Sequence, residues 1–427
     1  MSAFNGNGRV LNKTAEVAVF ALLGCAVGLA VGAVVGIFGR GVEYFSSLGA
    51  SHFSLYVWFL PLAGLATVCM LKKFGGVGIG MAAAFRASRG ETDGFALRNA
   101  FFQFAGTWSA HLFCASVGRE GAAIQIGAAI GCGIGKTVPV KDAVTNLIVA
   151  GMAAGFSALF ATPVCALVFA LEVTVVGGVR LRALAASSVS SFTAFFTARL
   201  CGLSHGFLPV PEVAQFALSS VLPLLALGIA CGLAGFSFCV IRKFSAVFFR
   251  RAAPNPYVRV AAAGILLSCL LYLTGGRYSG LGTNLIGFAF SGSGVYAFDW
   301  IVKILFTAVT LAVGFLGGEV TTFFAAGACL GSAVGSLLGI DPVLAACLGY
   351  AAVFGAATNT LFAPVLLCVE SFGGALLPHA ALVCITAYFF NFGHSVYNQR
   401  VREDVVVRTV RRMRVQNGIL PLPKRLY

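Results

Sequence analysis

Charge is scarce in this sequence. Asp, Glu, Lys and Arg together make up 10% of its 427 residues, where soluble domains carry about 25%. So few charges cannot cover a water-facing surface, and a soluble globular protein is excluded. Acidic residues are the scarcer sign, 14 against 29 basic. Paired carboxylates for Na⁺ and a pocket of polar side chains are both lacking, which disfavours a cation- or metabolite-coupled carrier. The five histidines show no ligand spacing, and the apolar segments hold no His/Asp/Ser or metal constellation, so no enzyme and no cofactor is expected. The thirteen cysteines contain no CxxC pair and read as small buried hydrophobes. Alternating segments of about ten residues, the mark of a membrane barrel, are missing. The first sixteen residues are polar and the apolar run after them is too long for a cleavable signal peptide.

Apolar length is abundant. Hydrophobic residues reach 59% and mean hydropathy is +0.93. Long apolar runs recur at Val17–Gly39, Tyr56–Leu71, Thr145–Val176, Val221–Val240, Val258–Leu273, Ile301–Leu316 and Leu344–Val369. About 20 apolar residues span a bilayer. The expected fold is an all-α polytopic membrane protein. The net charge of +15 resides in loops and tails, so it does not signal nucleic acid. Residues 399–427 hold eight Lys/Arg. The positive-inside rule puts this tail, and the short 1–16 tail with Arg9 and Lys13, in the cytoplasm, which requires an even number of crossings. The basic tail also suits contact with anionic membrane lipid.

Glycine, 53 residues, repeats in register. An offset of 200 residues lays Gly118, Gly127, Gly131 and Gly135 on Gly318, Gly327, Gly331 and Gly335, and Ala128 on Ala328. The stretch "LFATPVCAL" (159–167) is echoed by "TLFAPVLLC" (360–368), with Pro163 answering Pro364. Two half-repeats in one polytopic chain mark secondary transporters and their relatives. The transport domain is expected over 17–398, with halves at about 17–205 and 215–398. In such folds the site lies at the midplane, where broken helices expose their N-termini.

The run Gly118-Arg119-Glu120-Gly121 sets a charge pair between glycine-rich apolar stretches. A charge at the bilayer centre costs roughly 2.5–3.5 kcal/mol on insertion scales. "GREGAAIQIG" and "GGEVTTFFAAG" each place glycines and a carboxylate before a short apolar run, too short to span if straight. A helix beginning there presents unpaired N–H groups and its positive dipole end, which bind anions. "GGVGIGMAAAF" (75–85) is a third such start. Three N-termini converging would make an anion site without a full positive charge.

These motifs resemble the CLC family of chloride channels and proton-coupled anion antiporters, over roughly residues 15–400. The Gly118–Gly121 run with the following Ala-Ala-Ile-Gln-Ile-Gly carries the resemblance, supported by the repeat, the proline echoes and Tyr397 in "FGHSVYNQR". The resemblance implies two inverted halves meeting at a midplane anion site. It also implies a homodimer with one pore per subunit, and a prokaryotic cell membrane location. Apolar runs around 180–250 and 380–395 are candidate dimer surfaces. The nucleotide-binding module of larger relatives is not expected after the basic tail. Departures point to the fluoride/proton branch. The family's site serine is replaced by Val77 or by Met81; Met81 is preferred, because Gly-Met resembles that branch. "GGEVTT" resembles its Gly-Glu-Val-Thr pattern, with Thr322 where a proline is usual. Val173, after Glu172, takes the position of the inner proton-carrying glutamate of chloride antiporters.

The roles so implied centre on Glu120. Deprotonated, its carboxylate competes for the anion site; protonated, it leaves and the anion enters. Glu319 either assists proton movement or caps a helix. Anion contacts are expected from Gly121, Met81, the amides of Val320 and Thr321, the Thr321 hydroxyl and the Tyr397 hydroxyl or ring edge, with Thr322 a further donor. Gly118, Arg119 and Gly318 are structural. Glu172 and Glu370 read as structural or interfacial, and Phe85 and Phe323 cannot be distinguished as site residues. The expected partners are fluoride, or alternatively chloride, and protons.

Overall fold

A chain in hydrocarbon must pair its own N–H and C=O groups, and helices are the result. The computed structural model describes residues 13–75, 80–176, 180–203, 216–397 and 399–401. The N-terminal half contains α1 (Lys13–Ser51), α2 (Phe53–Tyr56), α3 (Leu60–Lys73), α4 (Met81–Ser88), α5 (Arg98–Leu112), α6 (Glu120–Thr137), α7 (Ala143–Phe160), α8 (Pro163–Glu172) and α9 (Leu184–Leu200). The C-terminal half contains α10 (Val221–Ala252), α11 (Pro256–Leu273), α12 (Thr283–Phe290), α13 (Asp299–Val313), α14 (Val320–Leu337), α15 (Pro342–Thr358), α16 (Ala363–Phe372) and α17 (Leu377–Phe389). From α3 onward the order of the first half recurs in the second. The matched pairs α4/α12, α5/α13, α6/α14 and α8/α16 have equal lengths of 8, 15, 18 and 10 residues. Two parallel two-residue strands, β1 (Val175–Val176) and β2 (Arg400–Val401), tie the segment after α8 to the start of the basic tail. Val77, most of both tails and the stretch 204–215 between the halves lie outside the described residues.

Six helical segments among the described residues are long and apolar enough to cross a membrane. The apolar runs misjudge several boundaries. The first run lies inside α1, whose 39 residues extend about 58 Å at 1.5 Å per residue. That is nearly twice the hydrocarbon thickness, so α1 must tilt or emerge. The run Thr145–Val176 is two helices, broken at Ala161 with φ 57°, and Leu344–Val369 is also two, broken at Asn359 with φ 55°. A left-handed residue ends each first helix, and the second opens with proline in its first turn, Pro163 as the first residue of α8 and Pro364 as the second of α16, where a missing N–H costs nothing. Alanine in this conformation is uncommon, so composition gave no sign of the first break. The runs after Gly118 and Gly318 are longer than expected: α6 and α14 have 18 residues each, about 27 Å.

The glycine repeat is a packing device. α6 lies on α7 and α14 on α15 with backbones in contact. A Cβ on Gly127 would strike the Gly151 carbonyl, and one on Gly151 would strike the Gly127 carbonyl; Gly327 and Gly349 repeat this reciprocity. Gly131 and Gly331 face the carbonyls of Leu147 and Ala345 in the same way. Small residues let membrane helices approach this closely. Nine of the cysteines are buried and none is paired.

Gly127→Ala should destabilise the protein by about 1–3 kcal/mol, since the obstacle is backbone that cannot rotate away. Gly133→Ala, with open space around the new methyl, should be neutral or mildly stabilising. Apparent melting temperatures in detergent would show it; equal shifts for both variants would refute the packing argument.

Candidate functional site

The loops before α6 and α14 meet face to face. Gly118 N–H donates to the Gly318 carbonyl at 2.6 Å, and Gly318 N–H donates to the Gly118 carbonyl at 2.7 Å. This antiparallel bridge joins the two halves through the residues that the 200-residue offset matches. A Cβ on Gly118 would lie 2.8 Å from both Glu120 Oε2 and Thr321 Oγ1, and one on Gly121 would lie 3.1 Å from Gly318 Cα. The glycines are therefore required by close approach.

Glu120 opens α6 and is 1% exposed. Its side chain reaches across to the other half. Oε2 accepts from the Thr321 amide at 3.1 Å, from the Thr321 hydroxyl, and from the Arg119 amide at 3.0 Å. A carboxylate thus sits on the first turn of α14, where backbone N–H groups have no helical acceptor and the dipole is positive. Arg119 is held elsewhere: its Nη1 contacts Glu43 at 2.9 Å and the Gly39 carbonyl at 3.5 Å, while its Nε lies 3.9 Å from Glu120 Oε1. It ties α1 to the site.

Two cavities flank this contact and share no lining residue. The larger, about 600 Å³, reaches Glu43, Arg119, Glu120, Thr321, Tyr350 and Glu370. The smaller, about 400 Å³, reaches Gly80, Met81, Gly121, Gly318, Glu319 and Tyr397. The starts of α4, α6 and α14 therefore border one cavity. Tyr397 is buried, its ring sits edge-to-face on Phe85 at 5.3 Å, and its hydroxyl has no protein partner. A buried hydroxyl without a partner, facing a cavity, marks a place for a polar guest. Gln103 Oε1 and Arg242 Nε, also on residues lining this cavity, accept or donate no hydrogen bond among the described residues, and Arg242 Nε is left with the Glu319 carboxylate at 3.9 Å.

Several expected donors are placed otherwise. The Thr322 hydroxyl is within 2.9 Å of the Thr307 hydroxyl and bonds there, away from Glu120. α14 runs through Thr322 without a break, so the missing proline leaves the helix intact. Glu319 is the residue before α14, yet its side chain makes no capping hydrogen bond; it lies 3.9 Å from Arg242 Nε. Val320 is fully buried. Phe85 packs on Tyr397, whereas Phe323 packs on Phe238. Val173 is buried, and its carbonyl accepts from Gln399. Gln103, Arg242 and Glu43 were not foreseen, and no motif flags them; Gln125 lies within the GREGAAIQIG run but had no expected role.

Glu172 and Glu370 have a distinct job. Glu172, ending α8, accepts from the amides of Leu361, Phe362 and Ala363 at the start of α16. Glu370, near the end of α16, accepts from Val164 and Cys165 at the start of α8. Each helix thus ends in the anion that caps the other. These two N-termini are taken, in contrast to α4, whose end has no side-chain cap.

The voltage-gated chloride channel family matches residues 63–391. The chain belongs to the CLC family. It is an integral membrane protein, and an anion channel or anion/proton antiporter. A chloride/fluoride channel protein of Pseudomonas syringae pv. tomato is 31% identical to the CLC chain over 84% of each sequence. The H⁺/Cl⁻ exchange transporter ClcA of Vibrio cholerae is 26% identical over 71% of the chain and 68% of that protein. Among solved structures, a CLC-type fluoride/proton antiporter superposes with TM-score 0.89 at 38% identity, covering 92% of this chain and all of that one. A slow cyanobacterial Cl⁻/H⁺ antiporter shares the fold, with TM-score 0.74 at 18% identity.

Glu172→Leu should cost about 2 kcal/mol, because charge-assisted bonds to three amides at the start of α16 are lost. Glu370→Leu should cost a similar amount. An unchanged apparent melting temperature in both would show that the caps do not stabilise the α8/α16 pair.

Proposed function

We propose that this CLC protein exports fluoride by exchange with protons, with Glu120 as the gate. The observation that carries the reading is the Glu120 carboxylate on the Thr321 amide and hydroxyl, between two cavities that share no lining residue. While ionised, the carboxylate fills the positive end of α14 and keeps the anion out. Protonation removes that attraction, and the side chain can swing away with its proton. A small anion then takes the vacated donors. One residue cannot serve both occupants at once, and exchange follows from that competition.

Fluoride suits the donors. It is compact and accepts hydrogen bonds strongly; the Thr321 amide and hydroxyl stand at the larger cavity and the unpartnered Tyr397 hydroxyl belongs to a residue lining the smaller one, so donors lie on both sides of the Glu120 contact. Met81 has no strong donor where chloride members carry serine, and Val173 cannot carry a proton. The 31% identical relative is named for chloride and fluoride, and the 38% identical structure is a fluoride/proton antiporter, which supports the same choice. Glu319 is read as a second acidic group on the smaller cavity, assisting proton movement. Gly118, Gly318 and Arg119 hold the frame.

Both termini are placed in the cytoplasm of a prokaryotic cell membrane, on the strength of the basic tail. A homodimer is the expected assembly. Exposed apolar side chains on α9 and α17, among them Phe192, Phe196, Ile385 and Phe389, suit a second copy within lipid.

Efflux from liposomes, followed with fluoride, chloride and pH electrodes, tests the function. Fluoride should leave fast, chloride slowly, with stoichiometric proton uptake. Glu120→Gln should abolish the proton movement and slow fluoride by at least about 100-fold, the scale on which loss of a general acid–base group is felt. Chloride as fast as fluoride would return the chain to the wider family; anion flux without protons would make it a channel.

A further inference from the structure

The run Ile301–Leu316 contains one cation, Lys303, in the body of α13. It is 0% exposed. Its three ammonium donors are all used: on Ser116 Oγ at 2.9 Å, on the Tyr278 carbonyl at 3.1 Å and on the Gly280 carbonyl at 2.7 Å. Every acceptor is neutral. The carboxylate one turn earlier, Asp299, is taken by Arg277 at 2.5 Å, by the Tyr278 hydroxyl at 2.8 Å and by the Tyr296 amide at 2.8 Å. Among the described residues no carboxylate pairs with Lys303. A buried charge without a counter-ion is costly, and inside a membrane such residues mark function.

The surroundings of Lys303 lead to the site. Ser116 lies within 3.1 Å of the Thr307 hydroxyl, and Thr307 within 2.9 Å of the Thr322 hydroxyl. All three are fully buried. An ammonium can only donate. Ser116 therefore accepts from Lys303, which leaves its own hydrogen free for Thr307 and that of Thr307 free for Thr322. In that arrangement the hydroxyl dipoles align, positive ends toward the first turn of α14. The next residue back, Thr321, holds the Glu120 carboxylate. The matched position in α5 is Gln103, which is neutral and bonded to Gln125 at 2.8 Å. Of these two matched positions, the charged one stands in the half whose helix holds the carboxylate.

We propose that Lys303 is the fixed counter-charge of the anion site. Its ammonium, through space and through the Ser116–Thr307–Thr322 line, strengthens the positive end of α14 for whichever anion occupies it. Lys303 is a positioning residue, since it touches neither the Glu120 carboxylate nor a transported ion. The inference rests on the reading of the α14 terminus as the anion site, and holds for fluoride and chloride alike.

Anion binding to purified protein in the Glu120→Gln background, where no tethered carboxylate competes, is the direct test. Titration calorimetry with sodium fluoride and sodium chloride would be run on this parent and with Lys303→Gln or Thr307→Val added. Lys303→Gln should weaken binding about tenfold, the effect of one unit charge at roughly 10 Å in a medium of effective dielectric near 20. Thr307→Val keeps the charge but cuts the line, and should weaken binding about threefold. With Glu120 present, Lys303→Gln weakens the tethered carboxylate and the transported anion alike, so the half-saturating anion concentration for efflux should shift less than the affinity measured without the carboxylate, with the maximal rate within about twofold. Gel filtration checks folding; if Lys303→Gln aggregates, Thr307→Val carries the test alone. Unchanged affinity in the folded variants would overturn the counter-charge. A parent that binds neither anion would instead overturn the site itself, and the inference with it.

Discussion

The pair of backbone hydrogen bonds between Gly118 and Gly318 sets the geometry of everything around it. Two loops from opposite halves are held in register, and the helices that follow them start side by side. Glu120 can reach the α14 terminus only because no side chain stands at 118. Gly318 can approach Gly121 for the same reason. Remove the side chains from two positions, and a carboxylate from one half lands on the dipole of the other.

The bridge would be of little use if α6 and α14 moved. The glycine contacts of α6 with α7 and of α14 with α15 prevent that, since backbone meets backbone with no flexible group between. The reciprocal caps of Glu172 and Glu370 fix α8 against α16 in the same spirit. The fold uses carboxylates in two ways. At α8 and α16 the carboxylate belongs to the helix pair and satisfies two or three amides. At α14 it comes from a single residue, with a cavity on each side of its contact. On the proposed reading, the same physical contact is structural in one place and exchangeable in the other.

The repeat was legible in the sequence because its glycines serve packing, and packing is indifferent to which half a helix belongs to. The helix starts at Met81, Glu120 and Val320 were legible through the glycines before them. The break at Ala161 was not, since alanine ordinarily continues a helix and here yields to Pro163 two residues on. The hydroxyl of Thr322 looked like a site donor from its neighbour Thr321, but successive residues of a helix point about 100° apart, and it bonds to Thr307. Glu319 resembled a cap and makes no capping bond. Arg242, Gln103 and Lys303 carried no signal beyond being polar residues in apolar text.

By itself, the sequence determined that the chain lies in a membrane, that it is built twice, and that Glu120 stands at a helix start among glycines. These follow from composition, periodicity and local backbone chemistry, which neighbouring residues decide. Tertiary structure alone decided which helix receives the carboxylate, which amides are already capped, and which buried cation stands behind the site. Those are contacts between segments about 200 residues apart, and no local rule encodes where a side chain points once two halves have closed on each other.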